Sequence, residues 1–182
     1  EAIAAELLVG DAPSVRLGAD GREVRVWTPV AQEGPRAALA DGLYILAGGA
    51  GALGLVLAEY ILDRTPEARV ALLARDMSSA GRAERIAALG PRAVAAEVDL
   101  TDGTAVEEAV ANLRARYGPV RGVVHLAGTM RDGLVARFDK ADFAAVASPK
   151  ALGARQLDAA TRDDPLDWFV LYSSLVGEVG NP

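Results

Sequence analysis

The chain has 182 residues, a length that suits one domain with a sizeable core. Its formal net charge of −6 argues against nucleic acid as a partner, because phosphate binding needs concentrated Lys and Arg. It contains no cysteine, which excludes disulfides and thiolate-bound metals and permits a reducing compartment.

Targeting and membrane signals are missing from the sequence. Residues Glu1 to Glu6 lack the basic start and long apolar run of a signal peptide. No stretch reaches the roughly 18 consecutive apolar residues of a membrane span. We therefore expect a cytoplasmic protein that binds neither membrane nor nucleic acid, and we predict no metal site.

The first 38 residues differ in their residue pattern from the rest of the chain. They contain a short helical pattern, two alternating segments around a turn, and a linker, at Ile3–Leu8, Ser14–Leu17, Arg22–Trp27 and Gln32–Leu39. An Asp-Gly turn between alternating segments is typical of a β-hairpin, which is too small to be stable alone. We predict a linking helix and hairpin over residues 1–38, paired with the second domain (residues 39–182) or with sequence outside the chain.

From Asp41 onward, short apolar runs alternate with amphipathic stretches. The predicted strands are Leu43–Ala47, Arg69–Ala74, Arg92–Val98, Arg121–Ala127 and Asp167–Ser173. The predicted helices are Leu53–Arg64, Ser79–Leu89, Thr104–Tyr117 and Lys140–Thr161. This alternation predicts an α/β fold with a Rossmann-like, doubly wound parallel sheet. A full sheet of this kind has six or more strands, so we expect this one to be incomplete at the C-terminus.

A glycine-rich loop follows the first of these strands and precedes a helix. Gly49, Gly51 and Gly54 fit the pattern G-x-G-x-x-G, with Gly48 directly before them. Glycines there allow a tight turn, close approach of the backbone to a pyrophosphate, and close helix–strand packing. The position between strand and helix favours dinucleotide binding, with a merely structural glycine turn as the alternative.

The end of the second strand in this series bears on the choice of nucleotide. An acidic residue there usually binds the ribose 2′-OH of NAD, whereas an Arg accommodates the 2′-phosphate of NADP. Arg75 therefore favours NADPH, although it is also compatible with a solvated surface residue. Asp76 follows directly, and either binds a ribose or caps the next turn.

Further motifs follow in a fixed order: Asp99-Leu100-Thr101-Asp102, His125-Leu126-Ala127-Gly128, Ser148-Pro149-Lys150 and Phe169 to Ser174, with Gly180-Asn181-Pro182 last. In this order, they resemble the short-chain dehydrogenase/reductase superfamily, and within it the ketoreductase domain of type I modular polyketide synthases. The resemblance covers about Gly42 to Pro182. The N-terminal hairpin is similar to the segment that links such ketoreductases to a preceding structural subdomain.

The resemblance implies roles for the cofactor-site residues. The glycine loop and Arg75 match the NADPH loop and the 2′-phosphate ligand, although Ala47 stands where the family usually has threonine. Asp99 and Leu100 match the pair that flanks the adenine. Ala127 and Gly128 match the segment that passes the nicotinamide-side ribose. The only histidine, His125, is structural by this resemblance.

Lys150 and Ser174, 24 residues apart, match the catalytic lysine and serine of the family. Reduction of a ketone builds negative charge on the carbonyl oxygen, which must be hydrogen-bonded and then protonated. Ser174 would bond that oxygen, and Lys150 would favour the ionised form of a proton-donating tyrosine. That tyrosine would fall at about position 187, and an asparagine a few residues later. We therefore expect the sequence to be cut from a longer polypeptide, inactive by itself; a split or degenerate ketoreductase is the alternative.

The resemblance also bears on stereochemistry and partners. Family members of the B-type carry Leu-Asp-Asp after the fourth strand, where this chain has Met130-Arg131-Asp132. Asp132 favours B-type stereocontrol, Arg131 departs from it, and a simple turn would also place Asp132 there. The implied partners are an acyl carrier protein with a phosphopantetheine-bound substrate and other synthase domains in the same polypeptide. A non-catalytic remnant and a free-standing reductase remain alternatives, and the hairpin argues against the second.

Overall fold

A computed structural model describes residues 2–10, 12, 14–31, 39–78 and 81–179 of the chain. The chain divides into two compact units, residues 1–37 and 38–182. Most of the predicted linker, the predicted helix start at Ser79, and the motif Gly180-Asn181-Pro182 lie outside the described residues.

The first unit consists of one helix and a hairpin: α1 (Ala2–Val9), β1 (Val15–Gly18) and β2 (Gly21–Val24). The strands are antiparallel, with Val15 opposite Val24 and Gly18 opposite Gly21. The prediction that the second strand runs to Trp27 is wrong. Val24 already pairs with the first residue of β1, so β1 has no residue left to pair with the next three.

The second unit contains β3 (Leu43–Ala47), α2 (Ala52–Arg64), β4 (Arg69–Ala74), α3 (Arg82–Ala88), β5 (Ala93–Glu97), α4 (Gly103–Tyr117), β6 (Val120–His125), α5 (Lys140–Thr161), β7 (Trp168–Leu171) and α6 (Val176–Val179), with a 3₁₀ turn at Val135–Arg137. The five strands form one sheet of order β5-β4-β3-β6-β7. All four pairings in it are parallel. The predicted α/β, Rossmann-like sheet is confirmed.

The sheet separates two hydrophobic layers because side chains alternate along each strand. Leu43, Ile45 and Leu73 face a layer that includes α4 and α5. Tyr44 and Leu46 face the other layer, with α2 and α3. All five residues of β3 are fully buried, since β3 is the central strand with helices on both faces.

Helix α5 has the bounds that the sequence predicts, although Pro149 lies inside it. Its start is fixed by a capping box, in which the Asp139 carboxylate accepts from the Asp142 N–H at 2.8 Å and the Asp142 carboxylate accepts from the Asp139 N–H. The last predicted strand, by contrast, is shorter than expected at both ends. Among the described residues, no helix is long and apolar enough to cross a membrane, and no cluster of potential metal ligands occurs.

Candidate functional site

A cleft of about 410 Å³ opens where the carboxyl ends of the strands meet. The strand order reverses between β3 and β6, and such reversals in open parallel sheets create a crevice in which ligands bind. The cleft is lined by residues at the ends of four strands and by one residue each of α3 and α5: Gly48, Ala50, Gly51, Ala74, Arg75, Asp76, Arg82, Val98, Asp99, Leu100, Leu126, Ala127, Gly128, Thr129 and Pro149. Seven of the nine residues predicted to bind the cofactor are among them; Gly49 and Gly54 are not.

Gly48 makes the tight turn after β3. Its φ is +81°, in the left-handed region that side chains disfavour. Its N–H donates to the Leu73 carbonyl at 2.7 Å. A Cβ at Gly48 would lie 2.6 Å from the Ala127 nitrogen, so the glycine loop lies directly against the segment after β6.

Gly49 and Gly54 pack beneath the loop rather than lining the cleft. A Cβ at Gly49 would lie 2.6 Å from the Leu46 carbonyl oxygen. A Cβ at Gly54 would lie 2.4 Å from the Gly49 Cα. These two glycines therefore let α2 approach the end of β3 closely, which brings the start of the helix to the cleft.

The start of α2 is suited to an anion. Gly51 is its N-cap residue and provides no side-chain cap, so the first N–H groups of the helix keep their capacity to donate. The helix dipole adds positive potential at the same point. Gly48 and Gly51 line the cleft at this point, and the helix start beside them fits the pyrophosphate of a dinucleotide.

Arg75 and Asp76 follow β4 at one side of the cleft. Arg75 is exposed and makes no hydrogen bond or ion pair with the part of the chain that the structure describes. Asp76 Oδ1 accepts from both the backbone N–H and the hydroxyl of Ser78, each at 2.7 Å. Of the two alternatives for Asp76, a ribose ligand or a turn cap, the structure shows the turn cap.

Asp99 and Leu100 follow β5 on the same side. Asp99 Oδ1 accepts from the N–H and the hydroxyl of Thr101 at 2.9 and 2.8 Å. These bonds, with a smaller contribution from the positive charge of Arg75, hold the pKa of the Asp99 carboxyl below its usual range. Asp99 is therefore ionised at neutral pH, and its geometry is fixed. Leu100 is buried and lines the cleft.

His125, Gly128 and Thr129 connect the end of β6 to α5. His125 is buried, and its Nε2 lies 3.1 and 3.2 Å from the carbonyl oxygens of Pro149 and Lys150, so Nε2 carries a proton that it donates. Pro149 has no N–H to give to the Ala145 carbonyl, and the hydroxyl of Thr129 donates there instead at 3.1 Å. The hydrogen bonding of His125 to the backbone of α5 fits its predicted structural role.

The two predicted catalytic residues lie at the same edge of the sheet. A Cβ at Gly128 would lie 2.9 Å from Lys150 Cε, so the Lys150 side chain passes over Gly128. Ser174 follows β7, and its Oγ accepts from the Val176 N–H at 3.3 Å. Both are exposed, neither lines the cleft, and no hydrogen bond joins them.

The segment after β6 also carries the predicted stereocontrol residue. Asp132 is exposed on this segment and does not line the cleft. Its neighbour Arg131 forms an ion pair with Asp142 at 3.0 Å, which ties the segment to the first turn of α5. The residue that departs from the family motif is thus held to α5.

Arg82, at the start of α3, lines the cleft and is absent from the predicted site. Sequence reasoning missed it because it lies seven residues beyond Arg75, and the pattern does not predict that it lines the same cleft. The available signal was a second arginine at the first position of the helix that follows the nucleotide-selecting strand.

Comparisons with known proteins agree with this geometry. A sequence model described as the KR domain matches residues 42–182. The chain is 35% identical over 143 residues to polyketide synthase PksL of Bacillus subtilis, covering 77% of the chain and 3% of that protein. It is 40% identical over 141 residues to polyketide synthase ThaG of Burkholderia thailandensis, covering 78% of the chain and 2% of that protein. The chain thus spans only a few per cent of these curated relatives.

Solved structures give the same result. A ketoreductase domain from the bacillaene assembly line superposes with a TM-score of 0.86 at 28% identity, covering 99% of this chain and 44% of that one. A ketoreductase from the first module of phoslactomycin biosynthesis in Streptomyces sp. HK803 superposes with a TM-score of 0.80 at 33% identity. There the match covers all of this chain and 43% of the other.

Proposed function

Because this chain belongs to the KR domain family of polyketide synthases, whose members are oxidoreductases of the short-chain dehydrogenase/reductase superfamily, we propose that it reduces the β-keto group of a polyketide intermediate with NADPH. The family implies ketoreduction in polyketide assembly, and the fold implies a nicotinamide cofactor. The nucleotide, the substrate and its carrier are the proposed part. The observation that carries the proposal is the cleft, which combines the glycine-rich loop after β3 with Arg75 at the end of β4.

The adenosine half of the cofactor is proposed to lie over β4 and β5. Asp99 and Leu100 would flank the adenine, and Arg75 would bind the 2′-phosphate. The engagement of Asp76 by Ser78 supports NADPH over NADH, because one oxygen of the carboxylate that would bind a 2′-OH already accepts two hydrogen bonds. The loop at Gly48, Gly49 and Gly51, with the start of α2, would hold the pyrophosphate.

The nicotinamide half is proposed to lie between β3 and β6, beside Ala127 and Gly128. When bound, the nicotinamide supplies a hydride to the carbonyl carbon of the substrate. Ser174 would donate a hydrogen bond to the carbonyl oxygen and so stabilise the negative charge that develops there. The Lys150 ammonium would lower the pKa of the group that gives this oxygen its proton.

The proton donor is proposed to be a tyrosine supplied by the polypeptide that carries these residues. The chain has four tyrosines, and none of them lines the cleft. Tyr44, for instance, donates to the Ala40 carbonyl and stacks on Trp168, and burial, chiefly, raises its pKa. Neither its position nor its acidity suits a proton donor at the carboxyl ends of the strands.

The substrate is proposed to arrive on the phosphopantetheine arm of an acyl carrier protein, with other synthase domains in the same polypeptide. The test uses the polypeptide that carries this chain, with NADPH and a β-keto acyl thioester of a phosphopantetheine arm. We expect oxidation of NADPH, followed at 340 nm, and loss of at least 100-fold in kcat for both Lys150→Ala and Ser174→Ala. Tight NADPH binding without turnover would instead indicate a non-catalytic ketoreductase fold and contradict the proposal.

Asp132 is proposed to steer the substrate toward the B-type product, as its place in the family motif implies. In the same polypeptide, Asp132→Ala should lower the stereochemical purity of the hydroxy product, measured by chiral chromatography. Glu107→Ala on α4 removes the same charge from an exposed position that does not line the cleft, and should leave the purity unchanged. Equal purity for the two variants would contradict this role.

A further inference from the structure

Arg82 is the second arginine in the cleft, and its guanidinium is only partly used by the fold. The side chain is 24% exposed. Its Nη1 donates to the backbone carbonyl of Asp76 and lies 3.8 Å from Asp76 Oδ2. Its Nε is buried and, within the described part of the chain, has no hydrogen-bond partner. A buried N–H without an acceptor costs free energy, so the fold does not satisfy this guanidinium completely. Arg82 lines the cleft, where the exposed part of the same guanidinium is open to an anion.

The cleft wall around Arg82 carries two guanidinium groups, of Arg75 and Arg82, and two carboxylates. Asp76 and Asp99 also line the cleft, but each has an oxygen that accepts two hydrogen bonds from a neighbouring Ser78 or Thr101. Arg75 makes no hydrogen bond to described residues. The unused donors of the cleft wall therefore belong to Arg75 and Arg82, while the carboxylates are fixed in their own turns.

We propose that Arg82 acts with Arg75 to bind the 2′-phosphate of NADPH and thereby determines the preference for NADPH over NADH. This inference rests on the proposed function, because it requires the adenosine end of a nicotinamide dinucleotide to lie over β4. A phosphate monoester carries close to two negative charges at neutral pH and accepts hydrogen bonds at three oxygens. Guanidinium groups match that geometry and remain charged at every physiological pH.

A purely structural role for Arg82 predicts something different. Through its bond to the Asp76 carbonyl, Arg82 could simply hold the loop after β4. In that case its removal would disturb the site for both nucleotides, since both place their adenosine in the same cleft. A 2′-phosphate ligand, by contrast, contributes only to the nucleotide that carries the phosphate.

The experiment titrates the chain with NADPH and with NADH, following nucleotide fluorescence, for Arg82→Ala and for a control. Arg85→Ala is the matched control because Arg85 is exposed on the same helix, carries the same charge and does not line the cleft. We expect Arg82→Ala to weaken NADPH binding by about tenfold to 100-fold, the loss of one or two charge-assisted hydrogen bonds, with NADH affinity within about twofold. Arg85→Ala should change neither.

Two further measurements separate the phosphate from the rest of the cofactor. Adenosine 2′,5′-bisphosphate should lose affinity for Arg82→Ala as NADPH does, whereas AMP should not. Arg82→Lys should give an intermediate NADPH affinity, because it keeps the charge and loses the fork of donors. Added salt should weaken NADPH binding to the unmodified chain more than to Arg82→Ala.

The outcomes distinguish the inference from the function on which it rests. Equal losses for NADPH and NADH in Arg82→Ala would overturn the inference in favour of a loop anchor. Unchanged NADPH affinity would overturn it as well, while Arg75→Ala still tests the proposed site. If the unmodified chain binds neither nucleotide, the proposed function fails. If it binds both, NADH binding by Arg82→Ala shows that this variant is folded.

Discussion

Gly48 combines two restrictions, of which Gly90 has only one. Its φ of +81° disfavours any side chain, and the Ala127 backbone occupies the place of a Cβ. Gly90 has a similar φ of +84° but nothing within 4 Å of its Cβ position. Substitution of these two glycines therefore distinguishes the effect of backbone strain from the effect of the contact between the glycine loop and the segment after β6.

Gly48→Ala should lower the free energy of unfolding by more than about 3 kcal/mol, since strain and a backbone collision add together. Gly90→Ala should cost about 1–2 kcal/mol, the strain alone. Only Gly48→Ala should also weaken NADPH binding, by at least about tenfold. Urea unfolding and fluorescence titration measure these changes. Equal effects of the two substitutions on NADPH binding would contradict the assignment of Gly48 to the proposed cofactor site.

The two cleft arginines show what a sequence can predict about single residues. Arg75 directly follows a strand, so its position at the carboxyl edge of the sheet follows from the strand prediction alone. Arg82 lies seven residues further on, and its contact with the end of β4 is a hydrogen bond to the Asp76 carbonyl, six residues earlier in the chain. Local patterns carry no information about such a bond.

At the scale of elements, one carboxylate joins α4, α5 and β6. Asp164 lies just after α5 with 2% of its side chain exposed. It accepts two hydrogen bonds from the Arg114 guanidinium, at 3.0 and 2.5 Å, and one from the Val120 N–H at 3.0 Å. Burial by itself would raise the pKa of Asp164, but the hydrogen bonds from Arg114 and Val120 outweigh it and hold that pKa below the usual range.

Asp164→Asn should lower the free energy of unfolding at pH 7 by about 1–3 kcal/mol, a range that allows for the partial exposure of Arg114. Because the folded-state pKa of Asp164 is depressed, its stabilisation is complete above the unfolded-state pKa and is lost as pH falls through the folded-state value. The difference between Asp164→Asn and the unmodified chain should therefore shrink below about pH 4.

Asp158→Asn is the control for this prediction. Asp158 pairs with Arg162 one helical turn away at 2.8 Å, but both side chains are more than half exposed. Because water screens an exposed pair of this kind, its loss should leave the free energy of unfolding nearly unchanged. Urea unfolding at pH 7 and at pH 3 measures both variants. Similar losses for Asp164→Asn and Asp158→Asn at pH 7 would contradict the role of Asp164 as the joint between these elements.

Helix α5 illustrates how far element prediction reaches. Its predicted bounds, Lys140–Thr161, agree with the structure. The sequence does not predict why the helix continues through Pro149. The answer is a contact 16 residues distant, in which Thr129 donates to the Ala145 carbonyl that Pro149 leaves without a partner. The bounds of strand β7, in contrast, differ from the prediction, because its ends depend on pairing with β6 rather than on its own composition.

At the scale of the whole molecule, the sheet and the hairpin differ in how their amides are protected. All residues of β3 are fully buried, and β3 pairs on both sides. The hairpin has only its own two strands, and seven of its eight residues are exposed. The doubly wound sheet and its parallel direction could be predicted from the alternation of strands and helices, whereas the short extent of the hairpin could not.

Amide hydrogen exchange tests this difference. We expect amides of Leu43–Ala47 to exchange only through global unfolding of the second unit, and those of Val15–Val24 to exchange at least about 100-fold faster through local opening. Mass spectrometry of peptides from the exchanged chain measures both. Protection of the hairpin equal to that of β3 would contradict the prediction.

The turn cap at Asp76 has a consequence for the evolution and redesign of cofactor preference. A carboxylate already stands at the position where NADH-specific relatives of this fold use one, yet Ser78 holds it in a turn. If NADPH is the cofactor, as proposed, a lineage that exchanged it for NADH would not need to acquire a new acid. It would need to lose the arginines and loosen the turn that holds Asp76, to which Ser78 contributes its hydroxyl and its backbone N–H.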